Sequence, residues 1–129
     1  MSVKDSLVKV QQQITQAAIQ SGRTPEDIQL IAVSKTKSVE LIKEALAAKQ
    51  TAFGENRIQE ALGKIEVLSK SDQVEWHLIG HLQKNKVKYC PGNFQWIHSI
   101  ESAELANKLE SRCAFTNKNI NVLIQVNLS

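Results

Sequence analysis

Apolar residues near the start of the chain fall at Val3, Leu7, Val10, Ile14 and Ala17/Ala18, in steps of four, three, four and three. That period predicts an amphipathic helix from Val3 to Ala18 with one buried stripe. Ser21-Gly22-Arg23 ends it, with Gly22 as the C′ residue, and Thr24-Pro25-Glu26-Asp27 reads as a short turn with Pro in a first-turn position. The next run, Ile28 to Val33, is short enough for a strand and too short for a typical helix. Ser38 is then placed to cap a helix with Glu40 in its first turn and Leu41, Ile42, Ala45 and Leu46 as its stripe. Thr51-Ala52-Phe53 predicts a short strand stopped by Gly54, and Ile58, Ala61, Leu62, Ile65 and Leu68 predict the following helix. Val74 to Ile79 reads as a strand closed by Gly80. A short helical or turn segment through Lys84 to Tyr89 runs into the breaker pair Pro91-Gly92. Phe94 to Ile100 is a fourth strand, Ser102 caps a helix buried through Leu105, Ala106, Leu109 and Cys113, and Ile120 to Leu128 is the longest strand of all.

Five strands alternating with helices or helix-length crossovers imply repeated βαβ units and a parallel α/β sheet. No fixed-period repeat or low-complexity linker appears, so residues 1–129 are expected to form a single domain. A complete (β/α)8 barrel of the TIM type needs roughly 250 residues, with about 200 a lower limit. The 129 residues therefore predict about the first half of such a barrel, roughly five strands preceded by an N-terminal helix, an apparently truncated domain.

Composition narrows the function classes. Hydrophobic residues at 42% and charged residues at 22% are ordinary for a globular domain. The net charge of +3 is mild, and the densest basic stretch, Lys84 to Lys88, reads as a solvated helix face with only Tyr89 beside it. No nucleic-acid partner is expected. Cys90 and Cys113 form no CxxC and have no histidine at zinc spacing, which predicts reduced thiols and no metal site. Nothing at the N-terminus resembles a signal peptide, and no apolar run approaches the ~20 residues that span a bilayer. The expected setting is cytoplasmic, without a membrane partner.

Candidate chemistry gathers just after the strands, where a parallel sheet places its ligand-facing groups. Lys35 lies two residues beyond Val33 and on the same face of an extended chain. Gly54-Glu55-Asn56-Arg57, Gly80-His81-Leu82-Gln83, His98-Ser99 and Asn127 follow the later strands. Spacing alone also allows bland roles: Lys35 as a solvated loop lysine, Asn56 as an N-cap, Gly80 as a turn. His77, inside a strand beside Trp76, reads as a satisfied core histidine, whereas His81 is loop-placed; Trp76 and Trp96 read as core aromatics. A lysine amine can form a Schiff base with an aldehyde, and pyridoxal phosphate is the common biological aldehyde held this way. Its phosphate wants a glycine-rich cup, and the five glycines here are not clustered. No Ser-His-Asp order, paired-carboxylate motif, Walker loop or GxGxxG is present, which argues against hydrolase, kinase and nucleotide folds.

Three motifs then act together: Ala32-Val33-Ser34-Lys35-Thr36-Lys37, Phe53-Gly54-Glu55-Asn56-Arg57-Ile58-Gln59-Glu60, and Trp76 through Lys86 (Trp-His-Leu-Ile-Gly-His-Leu-Gln-Lys-Asn-Lys). With Val122 to Asn127 in the same order, they closely resemble the YggS/PROSC family of pyridoxal phosphate homeostasis proteins, over essentially the whole chain. The resemblance implies a (β/α)8-like barrel of the alanine racemase N-terminal type. It implies pyridoxal 5'-phosphate (PLP) held as a covalent imine on Lys35, with Lys37 the nearby alternative, and Asn56, His81 and Asn127 at positions facing the cofactor mouth. It also implies a carrier that holds and delivers PLP in vitamin B6 homeostasis, with apo PLP-enzymes as recipients, and not an enzyme that turns over a substrate.

The same resemblance implies that family members continue past Asn127 for roughly another hundred residues. That portion holds the serine- and glycine-containing phosphate cup and an arginine near the pyridine nitrogen. Two other readings belong to different classes. One is a PLP-dependent amino-acid racemase, opposed by the missing second domain and the want of an opposing acid/base. The other is a non-catalytic half-barrel assembly fragment, whose open edge invites self-association.

Overall fold

Ser2 Oγ accepts the Asp5 N–H at 3.1 Å while Asp5 Oδ2 accepts the Ser2 N–H at 3.3 Å, a reciprocal cap that starts helix α1 (Val3–Gln20). The computed structural model describes residues 2–68 and 73–128. Gly22, at φ +78°, takes the left-handed turn that ends the helix. The expected buried stripe is only partly buried: Ala18 is fully enclosed, Val3, Leu7 and Ile14 are half-buried, and Val10 is exposed. The reason is position. Helix α1 rests on helix α2 (Val39–Ala47) and on the 3-10 turn Pro25–Asp27, not over the centre of the sheet.

The sheet comprises β1 (Ala32–Val33), β2 (Ala52–Glu55), β3 (Glu75–Leu78), β4 (Trp96–Ile100) and β5 (Asn121–Ile124), all parallel and in sequential order. Between the strands run α2, α3 (Ile58–Val67), the 3-10 segment Lys84–Tyr89 and α4 (Ala103–Thr116). Ser38 Oγ and Ser102 Oγ cap α2 and α4 by accepting the Leu41 and Leu105 N–H groups, as the sequence predicts. Strand order and connections are those of half a (β/α) barrel.

Three strand expectations need correction. Ile28 to Val33 pairs with β2 only at Ala32 and Val33, because β1 is an edge strand and the Leu30 carbonyl accepts instead from Gln50 Nε2 at 2.8 Å. Gly54 does not stop β2 but lies inside it. A Cβ there would meet Ile79 Cδ1 at 3.2 Å and Ile31 Cγ2 at 3.3 Å, so the glycine permits close packing of neighbouring strands. The run from Ile120 to Leu128 is in ladder pairing only over Asn121–Ile124, with β4 alone as neighbour, and its Val122, Leu123 and Ile124 side chains are exposed.

Register separates the two faces. Phe53 pairs with Trp76, and Leu78 with Ile97. These side chains join Ile42, Ala45, Ile58, Ala61, Leu105 and Leu109 from the helices in one core. The alternate positions, Val33, Gly54, His77 and Trp96, line the opposite, inner face. Lys35 lies two residues beyond β1, in the turn that follows it.

Candidate functional site

Ser34 closes β1 by donating its N–H to the Gly54 carbonyl at 2.9 Å, and its own carbonyl accepts the Lys37 N–H at 3.0 Å. A four-residue turn results, with Lys35 and Thr36 at its centre. Thr36 sits at φ +63°, a left-handed conformation that a β-branched residue seldom adopts. Its hydroxyl donates to the Lys35 carbonyl at 2.6 Å. Lys35 is exposed, and its ammonium makes no ion pair or side-chain hydrogen bond among the described residues.

Beneath this turn lies a buried polar cluster. Lys64, reaching up from α3, donates from Nζ to the Ser34 carbonyl at 2.7 Å, to Glu55 Oε2 at 2.8 Å and to Glu60 Oε2 at 2.9 Å. Ser34 Oγ donates to the same Glu55 oxygen, and the Thr36 N–H donates to Glu60 Oε2. Burial pulls the Lys64 pKa down, yet the hydrogen bonds it donates to the two carboxylates outweigh it and hold the ammonium above its ordinary value of 10.5. The hydrogen bond from Lys64, followed by that from Thr36, holds the Glu60 carboxyl below its ordinary 4.5. Sequence reasoning placed Glu55 among the polar residues after a strand, but it missed Lys64. A signal existed: Lys64 stands three residues after Ala61 and four before Leu68, on the buried stripe of its helix.

The other anticipated residues sit at the same C-terminal edge but not in one cluster. Asn56 follows β2 directly and is half-buried. Its backbone packs against Gly80, where a Cβ would come within 2.5 Å of the Asn56 carbonyl oxygen. The Gly80 carbonyl in turn accepts Ser99 Oγ at 2.7 Å, so the loops after β2 and β3 brace one another and the latter is pinned to β4. His81 is exposed and turns toward the loop after β4, with Nδ1 3.2 Å from Glu101 Oε1. Asn127 lies three residues beyond β5 and is exposed. Lys37 lines a small apolar cavity with Val3, Leu7, Leu41 and Phe53.

On the inner face, His77 is the satisfied core histidine expected. Its Nε2 is 2.6 Å from Glu75 Oε1, its Nδ1 is 2.9 Å from His98 Nε2, and its ring stacks on Trp96. Burial, with a smaller effect from His77, lowers the His98 pKa below 6.5. Trp76 is a core aromatic, tilted against Phe53. Among the described residues no group of three His, Cys, Asp or Glu could hold a metal ion. No helix of these residues is long and apolar enough to cross a membrane.

Comparison with known proteins agrees with this architecture. The family model for the alanine racemase N-terminal domain matches residues 9–129. A pyridoxal phosphate homeostasis protein of Vibrio alginolyticus is 41% identical over 131 residues, covering 99% of this chain and 56% of that protein. The protein of the same name from Pasteurella multocida is 42% identical over 130 residues, covering 100% and 56%. Among solved structures, PipY of Synechococcus elongatus with PLP bound superposes with a TM-score of 0.78 at 39% identity, over 90% of this chain and 55% of that one. An uncharacterised Bifidobacterium adolescentis protein reaches 0.86 at 30% identity, over 94% and 53%. The chain spans about half the length of the curated relatives it matches.

Proposed function

The chain belongs to the alanine racemase N-terminal domain family, and we propose that it holds PLP as an imine on Lys35 and serves vitamin B6 homeostasis without turning over a substrate. The observation that carries this reading is the Lys35 turn: a primary amine with no side-chain partner among the described residues, at the C-terminal edge of a parallel sheet, on a backbone braced from below. That donor fits an aldehyde. The neutral ε-amine adds to the aldehyde carbon, a C=N bond forms, and one water leaves. The relatives named for pyridoxal phosphate homeostasis and the PLP-bound PipY structure support the choice of aldehyde. Asn56, His81 and Asn127 follow other strands of the same edge and are assigned to the cofactor mouth. Apo PLP-enzymes are the proposed recipients.

An absorbance titration with PLP, run on the chain and on Lys35→Ala, tests the proposal, followed by borohydride reduction and peptide mapping. A saturable imine band trapped on Lys35 and lost in the variant is expected. Equal labelling spread over many lysines would remove the assignment.

A further inference from the structure

We infer that Glu60 and Lys64 are positioning residues that hold the Lys35 turn in one geometry and so direct an incoming aldehyde to Lys35 in preference to Lys37; the inference rests on the imine reading above. A buried Lys–Glu pair by itself says nothing about a site. What distinguishes this one is where the remaining hydrogen bonds go. Lys64 Nζ donates to the Ser34 carbonyl, immediately before Lys35, and Glu60 Oε2 accepts from the Thr36 N–H, immediately after it. The two groups therefore grip the backbone on both sides of one residue. Glu60 Oε2 and Lys64 Nζ are 2.9 Å apart, so the two grips form one connected unit.

The conformation they hold is an unfavourable one. Left-handed backbone at a threonine is strained, and it persists only where the surroundings over-determine it. Here the Thr36 N–H is held by Glu60, its hydroxyl by the Lys35 carbonyl, and the turn is closed by the Lys37 N–H to Ser34. Without the Glu60 acceptor the turn can relax to right-handed backbone at Thr36, which redirects the residues on either side. Lys35 and Lys37 are both exposed, so the distinction between them rests on the turn, not on burial.

Glu60→Ala tests this, because Lys64 keeps Glu55 and the Ser34 carbonyl and the fold keeps its buried pair. Glu60→Ser supplies a second truncation, and Glu60→Gln a conservative one that retains an oxygen able to accept the Thr36 N–H. Three quantities are read: the rate of imine formation with PLP, the ratio of borohydride-trapped label on Lys35 to that on Lys37, and hydrogen exchange at the Thr36 amide without PLP. Both truncations should form the Lys35 imine about tenfold more slowly, the scale of one charge-assisted hydrogen bond. Label should shift toward Lys37, and Thr36 exchange should speed up. Glu60→Gln should recover most of the rate and the ratio. Truncations that fold and keep the parent rate and ratio overturn the positioning role and leave the Lys35 assignment standing. A parent chain that shows no preference for Lys35 overturns the cofactor assignment, and this inference with it.

Discussion

The Lys64 ammonium lies 2.8 Å from the Glu55 carboxylate, with the Glu55 side chain wholly out of contact with solvent and the Lys64 side chain nearly so. Removing Lys64 leaves Glu55 as an uncompensated buried charge, whereas removing Glu55 leaves Lys64 paired with Glu60; orphaning a buried charge in the first way costs about 3–5 kcal/mol. Lys64→Met should lower the unfolding free energy by that amount, read as a lower urea midpoint at unchanged slope. The double variant Glu55→Gln/Lys64→Met should recover a large part of the loss. Equal midpoints for the single and double variants would show that Glu55 is not charged in the fold.

The same cluster fixes the sign of a pH dependence at both ends. Glu60 has a folded pKa below 4.5, so its contribution is present above that pH and is lost as pH falls through the folded value. Lys64 has a folded pKa above 10.5, so its contribution is present below that pH and fades as pH rises through the folded value. Equilibrium unfolding from pH 3 to 6 should show an acid limb that Glu60→Gln flattens. An unchanged acid limb in that variant would mean other carboxylates carry it.

Much of this arrangement is legible in the sequence, and what is not has particular causes. Helix starts at Ser38 and Ser102 follow from local capping chemistry. Strand existence follows from short apolar runs, and the parallel order from their alternation with helices. Strand ends do not follow, because pairing depends on a neighbour: Ile28 to Ile31 is mostly apolar and continuous with β1 yet has Gln50, not a strand, at the Leu30 carbonyl. Gly54 looked like a stop because its need for space arises from Ile31 and Ile79, far away along the chain. The place of Lys35 after a strand is legible, while its reading as a cofactor lysine comes from the family resemblance. Its bracing is not legible, since Glu60 and Lys64 lie on a helix whose rotation about the strand only the fold sets.

The two cysteines should differ in reactivity. Burial pushes the Cys90 thiol up to about 12, and its side chain is completely enclosed. Cys113 is raised as well, chiefly by burial, but remains partly accessible. Because the thiolate is the reacting species, a disulfide reagent at pH 8 should modify Cys113 first and Cys90 only on unfolding. Mapping the modified peptide under native conditions checks this, and equal early labelling of both would contradict the packing around Cys90.

His98 should carry a separate acid dependence. Its folded pKa is depressed below 6.5, chiefly by burial and also by His77, so the unfolded chain takes up a proton first as pH falls. Stability is therefore lost as pH drops from 6.5 toward the folded pKa. The groups around it are His77, Trp96 and, one step further through His77, Glu75. His98→Gln should reduce the slope of stability against pH between 6.5 and 5. The imidazole proton resonances of the parent chain should place the His98 midpoint below 6.5, and a midpoint above it would invert the argument.

Glycines at two positions in this fold should respond in opposite directions to the same substitution. At Gly80 a new Cβ would lie 2.5 Å from the Asn56 carbonyl oxygen and 2.9 Å from Asn56 Cα, and both are backbone atoms that cannot swing aside. Gly80 is also held by Ser99 Oγ at 2.7 Å, so relief by moving it would break that bond. Gly80→Ala should cost about 1–3 kcal/mol, the range for forced overpacking. It should also shift the amide resonances of Asn56 and Arg57, where the loop enters α3. At Gly63, inside α3, nothing lies within 4 Å of the added Cβ, and the backbone is not left-handed. Gly63→Ala should therefore stabilise by about 0.5–1 kcal/mol through helix propensity alone. Thermal unfolding of the two variants side by side decides the matter: a fall in midpoint for Gly80→Ala with a rise for Gly63→Ala follows from the packing described, and a rise for both would show that the Asn56–Gly80 contact has room to yield.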